Sequence, residues 1–172
     1  MTRAALLLPL LLAGCSSDVL RLEPEWAPLV EVVERPSLVL TDETTTTLGT
    51  RIYVPYLDAW ERRYPEGSVE RAALLLHEQE HARRQLATGL GRWLGRYLND
   101  REFMWAEEQR GYALQLRHLV RHGRPVNAQV LAATLHDYRN LAGRMVGYAE
   151  ALAFVQAVLS GTWVPPPEAP RG

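Results

Sequence analysis

The sequence predicts a single, mainly helical α+β domain in which a small antiparallel sheet precedes the first long helix. Three observations carry this. Residues 44–54 are crowded with Thr, Leu, Ile, Tyr and Val, a composition that suits strands. Residues 69–88 then run without Gly or Pro behind Ser68, a good N-cap, with Glu70 in the positively polarised first turn. Asp100 opens another run to about His122, closed by Gly123 and Pro125.

At the N-terminus, Met1-Thr2-Arg3 precede an apolar run from Ala4 to Leu12, broken by Pro9, and then Ala13-Gly14-Cys15. This is the order of a secretory signal, and the run is too short to span a bilayer, which takes about 20 apolar residues. The ending Leu12-Ala13-Gly14-Cys15 resembles the bacterial lipobox. That resemblance implies removal of residues 1–14 and acylation of Cys15. At about 0.8 kcal/mol per buried CH₂, several acyl chains anchor stably where one does not. With Ser16 rather than Asp after the cysteine, the resemblance implies the outer membrane, facing the periplasm, in a two-membrane bacterium. Otherwise it implies the outer face of the cytoplasmic membrane. Cys15 is the single cysteine, which excludes an internal disulfide and a cysteine-based zinc cluster.

Residues 15–24 read as a lipidated tether, and the domain proper as 25–162. Its first element is expected as a short helix around residues 26–34, with Pro28 near the first turn. Strands are expected at 38–40 and 44–54, with Thr41-Asp42-Glu43 turning the chain between them. Pro55 and Pro65-Glu66-Gly67 bracket a short segment, 56–64. Gly89 and Gly91 end the Ser68-capped helix, and a segment carrying Trp93, Leu94, Tyr97 and Leu98 leads to the Asp100-capped one. Asn127 caps a further helix, and 128–159 reads as two helices or one kinked around Gly143 and Gly147. Gly161 and Pro165-Pro166-Pro167 close the domain, leaving 163–172 as a mobile, Pro-rich tail.

The 172 residues and 47% apolar content are ample for one core. A formal charge of -1 and a pI near 6.5 give no general attraction to nucleic acid, and none is expected as a partner. Every basic residue is arginine, so Schiff-base chemistry and a lysine P-loop are excluded.

The chemistry lies in His77-Glu78-Gln79-Glu80-His81, within the Ser68-capped helix. Positions four apart differ by only about 40° around a helix axis, so both imidazoles reach toward one ion. Neutral imidazole binds Zn²⁺, and catalytic zinc takes three protein ligands and keeps a fourth position for water. Glu78, beside the first histidine, is placed to take that water's proton and deliver it to a leaving amine. The pattern is the HExxH of zinc metallopeptidases, which the chain resembles.

A third ligand must come from elsewhere. The metzincin extension needs Gly and His where Arg84 and Ala87 stand, and is excluded. The chain is instead similar to the gluzincins, whose third ligand is a glutamate on a later helix; the Asp100-capped helix offers Glu102, Glu107 and Glu108. Glu108 is the choice, because Glu108 and Tyr112 match the Glu-xxx-Tyr arrangement of small bacterial HExxH proteins; Glu107 is next. His118, His122 and Glu150 lie further out. The string LGTRIYVP from Leu48 to Pro55, followed by the motif and by Gln85, extends the resemblance over about residues 44–112. In such proteins an edge strand beside the helix pairs with extended substrate, and 44–54 is either that edge or a core strand. Tyr112, His118 and Tyr148 are candidates for oxyanion stabilisation, and equally for ordinary packing.

The resemblance therefore implies a zincin-like metallopeptidase domain. His77, His81 and Glu108 would hold zinc, Glu78 would act as general base, and Cys15 would carry the membrane anchor, with a peptide or protein as substrate. A non-catalytic metal-binding envelope lipoprotein is the alternative.

Overall fold

In a computed structural model, residues 18–20, 30–35 and 45–167 are described. Cys15, the signal segment, the strand expected at 38–40 and its turn lie outside them. The elements in chain order are β1 (Asp18–Leu20), β2 (Val30–Glu34), β3 (Thr46–Leu48), β4 (Arg51–Val54), α1 (Leu57–Arg63), α2 (Val69–Thr88), α3 (Leu90–Asn99), α4 (Arg101–Arg121) and α5 (Ala128–Asp137). A two-residue hairpin, β5 (Arg139–Asn140) and β6 (Gly143–Arg144), then precedes α6 (Tyr148–Leu159). Among the described residues the protein is thus mainly helical with a small sheet, as composition and capping predict.

The caps work as the sequence implies. Ser68 Oγ accepts from Arg71 N at 3.1 Å, Asp100 Oδ1 from Glu102 N and Phe103 N at 3.0 Å, and Asn127 Oδ1 from Val130 N at 3.0 Å. Gly89 has φ 89°, a conformation that ends α2 and redirects the chain into α3.

Two expectations about the sheet need correcting. Residues 30–34 are a strand, not the end of a helix: Val30 and Val32 are buried while Glu31, Val33 and Glu34 are less so, the alternation of a strand. The sheet is also mixed rather than antiparallel. Its order is β1-β2-β4-β3, with β2 and β4 parallel and the other two pairs antiparallel. The tight turn lies at Gly49-Thr50, where Gly49 adopts φ 62°, so β3 and β4 form a hairpin within the span expected as one strand.

Between α5 and α6 the chain forms the β5–β6 hairpin, which resolves 128–159 into two helices. The hairpin docks on the end of α3 through Leu141 N to Leu98 O and Asn140 Nδ2 to Tyr97 O, both 2.9 Å. In the stretch expected as a mobile tail, Trp163 lies edge-on to Phe154 at 5.8 Å and beneath the Arg117 guanidinium, and Arg110 donates to the Pro166 carbonyl, while Val164 and Pro165 are exposed.

Two apolar cores result. One lies among α4, α5 and α6, around Leu116, Leu135, Phe154 and Val155; the other joins the sheet to α1 and α2 through Val30, Ile52, Val54, Trp60, Leu75 and Ala82. Between them α2 packs along α4, the most extensive helix pairing, and this seam is polar.

Candidate metal centre

α2 shows different faces to its two neighbours. Leu75, Glu78, Ala82 and Gln85 follow the three-and-four spacing of one helix face and meet the sheet; His77, His81 and Arg84 form the next face and meet α4. On α4 the opposing row is Glu108, Gly111 and Gln115. Contacts run from His77 with Gln115 to Arg84 with Glu107, so the two helices are antiparallel.

This packing brings His77, His81 and Glu108 together, each offering a ligand atom within 4.8 Å of the others, and the group could hold a metal ion. Nε2 of His77 and Nε2 of His81 are 2.9 Å apart; they lie 3.5 and 3.4 Å from the two Glu108 oxygens. Ligand atoms around a tetrahedral ion with bonds of about 2.0–2.1 Å stand about 3.3 Å apart. The three separations bracket that value, so the donor set fits a small divalent cation. His77 Nδ1 donates to Gln115 Oε1 at 3.1 Å, which leaves its Nε2 lone pair facing the cluster. His81 Nδ1 has no hydrogen-bond partner among the described residues; its ring is oriented by the Trp93 and Tyr97 rings at 5.7 and 6.3 Å.

Glu107 and Glu108 point to different neighbours, as adjacent helical positions must. Glu107 accepts from Arg84 Nε at 2.6 Å and Trp93 Nε1 at 2.9 Å, so it ties α2, α3 and α4 together away from the imidazoles. Glu108 faces both histidines and accepts from Tyr97 OH at 2.5 Å. Glu102 is exposed at the start of α4, His118 stacks on His122 near its far end, and Glu150 accepts from Trp105 Nε1 at 2.9 Å; none of these joins the cluster.

Glu78 is buried beside the triad, and its Oε2 accepts from Thr47 Oγ1 at 2.5 Å. β3, which carries Thr47, is one edge of the sheet among the described residues, β1 being the other, and β4 is interior. Yet the Gln85 carboxamide occupies that edge: its Oε1 accepts from Gly49 N at 2.6 Å and its Nε2 donates to the Thr47 carbonyl at 2.9 Å. A carbonyl and the amide two residues on are the pair that an added strand would use, so strand addition, one of the two alternatives for 44–54, is closed at Thr47–Gly49.

Of the oxyanion candidates, only Tyr112 lies beside the cluster. Its ring stands edge-on to His77 at 4.5 Å, and its hydroxyl bonds that of Tyr138 at 2.8 Å. Tyr148 is on α6 against His136. Sequence reasoning missed Thr47, Tyr97, Gly111, Gln115 and Tyr138. Gly111 and Gln115 carried a signal, being three and seven residues after Glu108 on one helical face.

Charges in the cluster depend on each other. Burial pulls the His81 imidazolium down, but the Glu108 carboxylate, by charge and hydrogen bond, with Glu78 and Glu107 beyond, raises it to about 9. Burial pushes the Glu108 carboxyl up, while the charge of His81 and hydrogen bonds from both imidazoles hold it well below the ordinary carboxylate range.

No family model, curated protein or solved structure matches the chain.

Two outcomes follow from the geometry. A proton and a cation compete for the His81 nitrogen, and with its pKa near 9 that proton is present at neutral pH. Zinc titrated into chelator-stripped protein at about pH 7.5 should release about one proton, seen by calorimetry in buffers of different ionisation enthalpy. Affinity should climb with pH and level off above about 9; uptake without proton release would contradict the pairing of His81 with Glu108. Gly111 supplies the second outcome. A Cβ there would stand 2.7 Å from His77 Cδ2 and 2.8 Å from its Nε2. Alanine is worth up to about 1 kcal/mol more than glycine to a helix. Gly111→Ala should therefore keep its helix content and still weaken zinc binding roughly tenfold or more, measured by chelator competition.

Proposed function

We propose that the chain is a zinc-dependent metallopeptidase of zincin-like, gluzincin type, held at a bacterial cell envelope by lipid on Cys15. The observation that carries this reading is the Glu78 carboxylate. It lies one residue from His77, outside the ligand group, and a metal held for stability alone has no use for it.

His77, His81 and Glu108 would hold the ion; two imidazoles and one carboxylate form a recognised catalytic zinc set. When bound, zinc acidifies a water to near neutrality and polarises a carbonyl as a Lewis acid. Glu78 performs the proton traffic. With Oε2 held by Thr47, Oε1 is the oxygen left to take the proton of the attacking water and return it to the leaving amine. Tyr97 and Gln115 keep the ligands in place from α3 and α4. The substrate is a peptide or protein, and the Gln85 carboxamide makes it approach otherwise than by strand addition at Thr47–Gly49.

The burial of the four side chains, with His77, Glu78, His81 and Glu108 only 3–6% exposed, favours a second reading: a non-catalytic envelope lipoprotein that keeps the ion for binding or assembly. Glu78→Gln separates the two. Under the peptidase reading the variant retains stoichiometric zinc, while kcat for peptide cleavage falls by roughly 10²- to 10⁴-fold, and a chelator abolishes parent activity. Zinc-replete parent that cleaves none of a diverse peptide library would leave the second reading standing.

No helix among the described residues is long and apolar enough to cross a membrane, and the proposed attachment is the lipid on Cys15. The intact mass of the chain from membranes should show loss of residues 1–14 and added acyl chains, and Cys15→Ser should move the protein to the soluble fraction. An unmodified, membrane-bound Cys15→Ser variant would sink the anchor.

A further inference from the structure

Glu78 and Gln85 lie seven residues apart on α2, about two turns, and therefore on one face. Both reach the same strand. The Thr47 hydroxyl donates to Glu78 Oε2 at 2.5 Å, and the backbone on either side of Leu48 is gripped by Gln85 through the Thr47 carbonyl and the Gly49 amide. Thr47 is 7% exposed and Gln85 1% exposed, and the two bonds to Thr47 are buried. The bonds close a ring: Glu78 to Thr47, Thr47 to Gln85, and Gln85 back along the helix to Glu78.

We infer that Thr47 and Gln85 are positioning residues for the Glu78 carboxylate: Gln85 fixes the backbone of β3 on α2, and Thr47, so fixed, holds one oxygen of the carboxylate and leaves the other for the reaction. What that carboxylate does rests on the peptidase reading. That the two residues set its position does not.

The chemistry of the ring restricts what can replace each member. Glutamine supplies a donor and an acceptor on one planar group at the required reach, matching a backbone carbonyl and amide as a neighbouring strand's peptide would. Glutamate keeps the acceptor and loses the donor; leucine loses both. At position 47 serine keeps the hydroxyl and valine keeps only the shape.

The test uses the full chain with Thr47→Val, Thr47→Ser, Gln85→Leu, Gln85→Glu and the double variant Thr47→Val/Gln85→Leu. Three quantities are read: kcat and KM for peptide cleavage, zinc affinity by chelator competition, and the ¹³C resonance of the Glu78 carboxyl, assigned by its loss in Glu78→Gln. Thr47→Val and Gln85→Leu should each lower kcat about tenfold or more with KM little changed. Each should shift the Glu78 resonance and leave zinc affinity within about twofold, because neither residue touches a ligand. Thr47→Ser should restore both kcat and resonance, and the double variant should be no worse than the poorer single one. Should Gln85→Leu fail to fold, Gln85→Glu carries the same expectation. A Glu78 resonance that stays in place when Gln85 is changed but moves when Thr47 is changed would overturn the inference and reduce Gln85 to a staple. Zinc-loaded parent without cleavage would defeat the peptidase reading alone, and the resonance would still decide the clamp.

Discussion

Burying Glu107 and Glu108 side by side in α4 obliges the rest of the molecule to bring donors and positive charge to two sides of one helix. Adjacent positions point about 100° apart, so a single partner cannot serve both. Glu107 is met by Arg84 from α2 and Trp93 from α3; Glu108 is met by His77 and His81 from α2 and Tyr97 from α3. Both carboxylates thus draw on the same two helices, and the packing of α2, α3 and α4 follows from satisfying them. A buried charge left without such partners is worth several kcal/mol of destabilisation.

That polar seam lies between two apolar cores. Replacing a buried ionic group by apolar residues of similar volume is often neutral or stabilising. Stability therefore gives no reason for this seam to hold two imidazoles, a carboxylate between them and a further acid one residue away. The absence of a Cβ at Gly111, which lets the His77 ring rest on the α4 backbone, is equally hard to explain by helix stability, since glycine is among the poorest helix formers. What these positions share is convergence, since His77, His81 and Glu108 each offer a ligand atom within 4.8 Å of the others.

How much of this was legible depended on how far apart the partners lie in sequence. α2 was readable with its Ser68 cap and Gly89 stop, because cap, periodicity and stop are local. The faces of α2 were readable too, which put His77 and His81 on one side of the helix, within reach of one another. Residues 30–34 misled because a short valine-rich stretch decides between helix and strand by what it pairs with, and β4 lies about twenty residues away. The β5–β6 hairpin, two residues to a strand, is too short for any pattern. Choosing Glu108 over Glu107 needed a resemblance, since both are buried acids on one helix; their partners tell them apart, and those lie up to 31 positions upstream. Thr47 gave no signal at all: one threonine among four in a row becomes important only because its hydroxyl meets a carboxylate 31 residues later.

The same separation explains how such a centre can be precise while its holders are scattered. His77 and Glu78 are consecutive in α2, and the helix sends one side chain toward α4 and the other toward the sheet. The distance between ligand and acid is therefore fixed by one peptide unit of a regular helix, whatever the surroundings do. Only the outer ends of the two side chains need fixing, and different parts of the fold do this independently: Gln115 on α4 for the imidazole, Thr47 on β3 for the carboxylate. Movement of the sheet against α4 would disturb each end through its own partner and leave the spacing at the helix unchanged. In a centre arranged in this way the sheet determines the rotamer of one acid, and the backbone of α2 the spacing of the neighbouring imidazole.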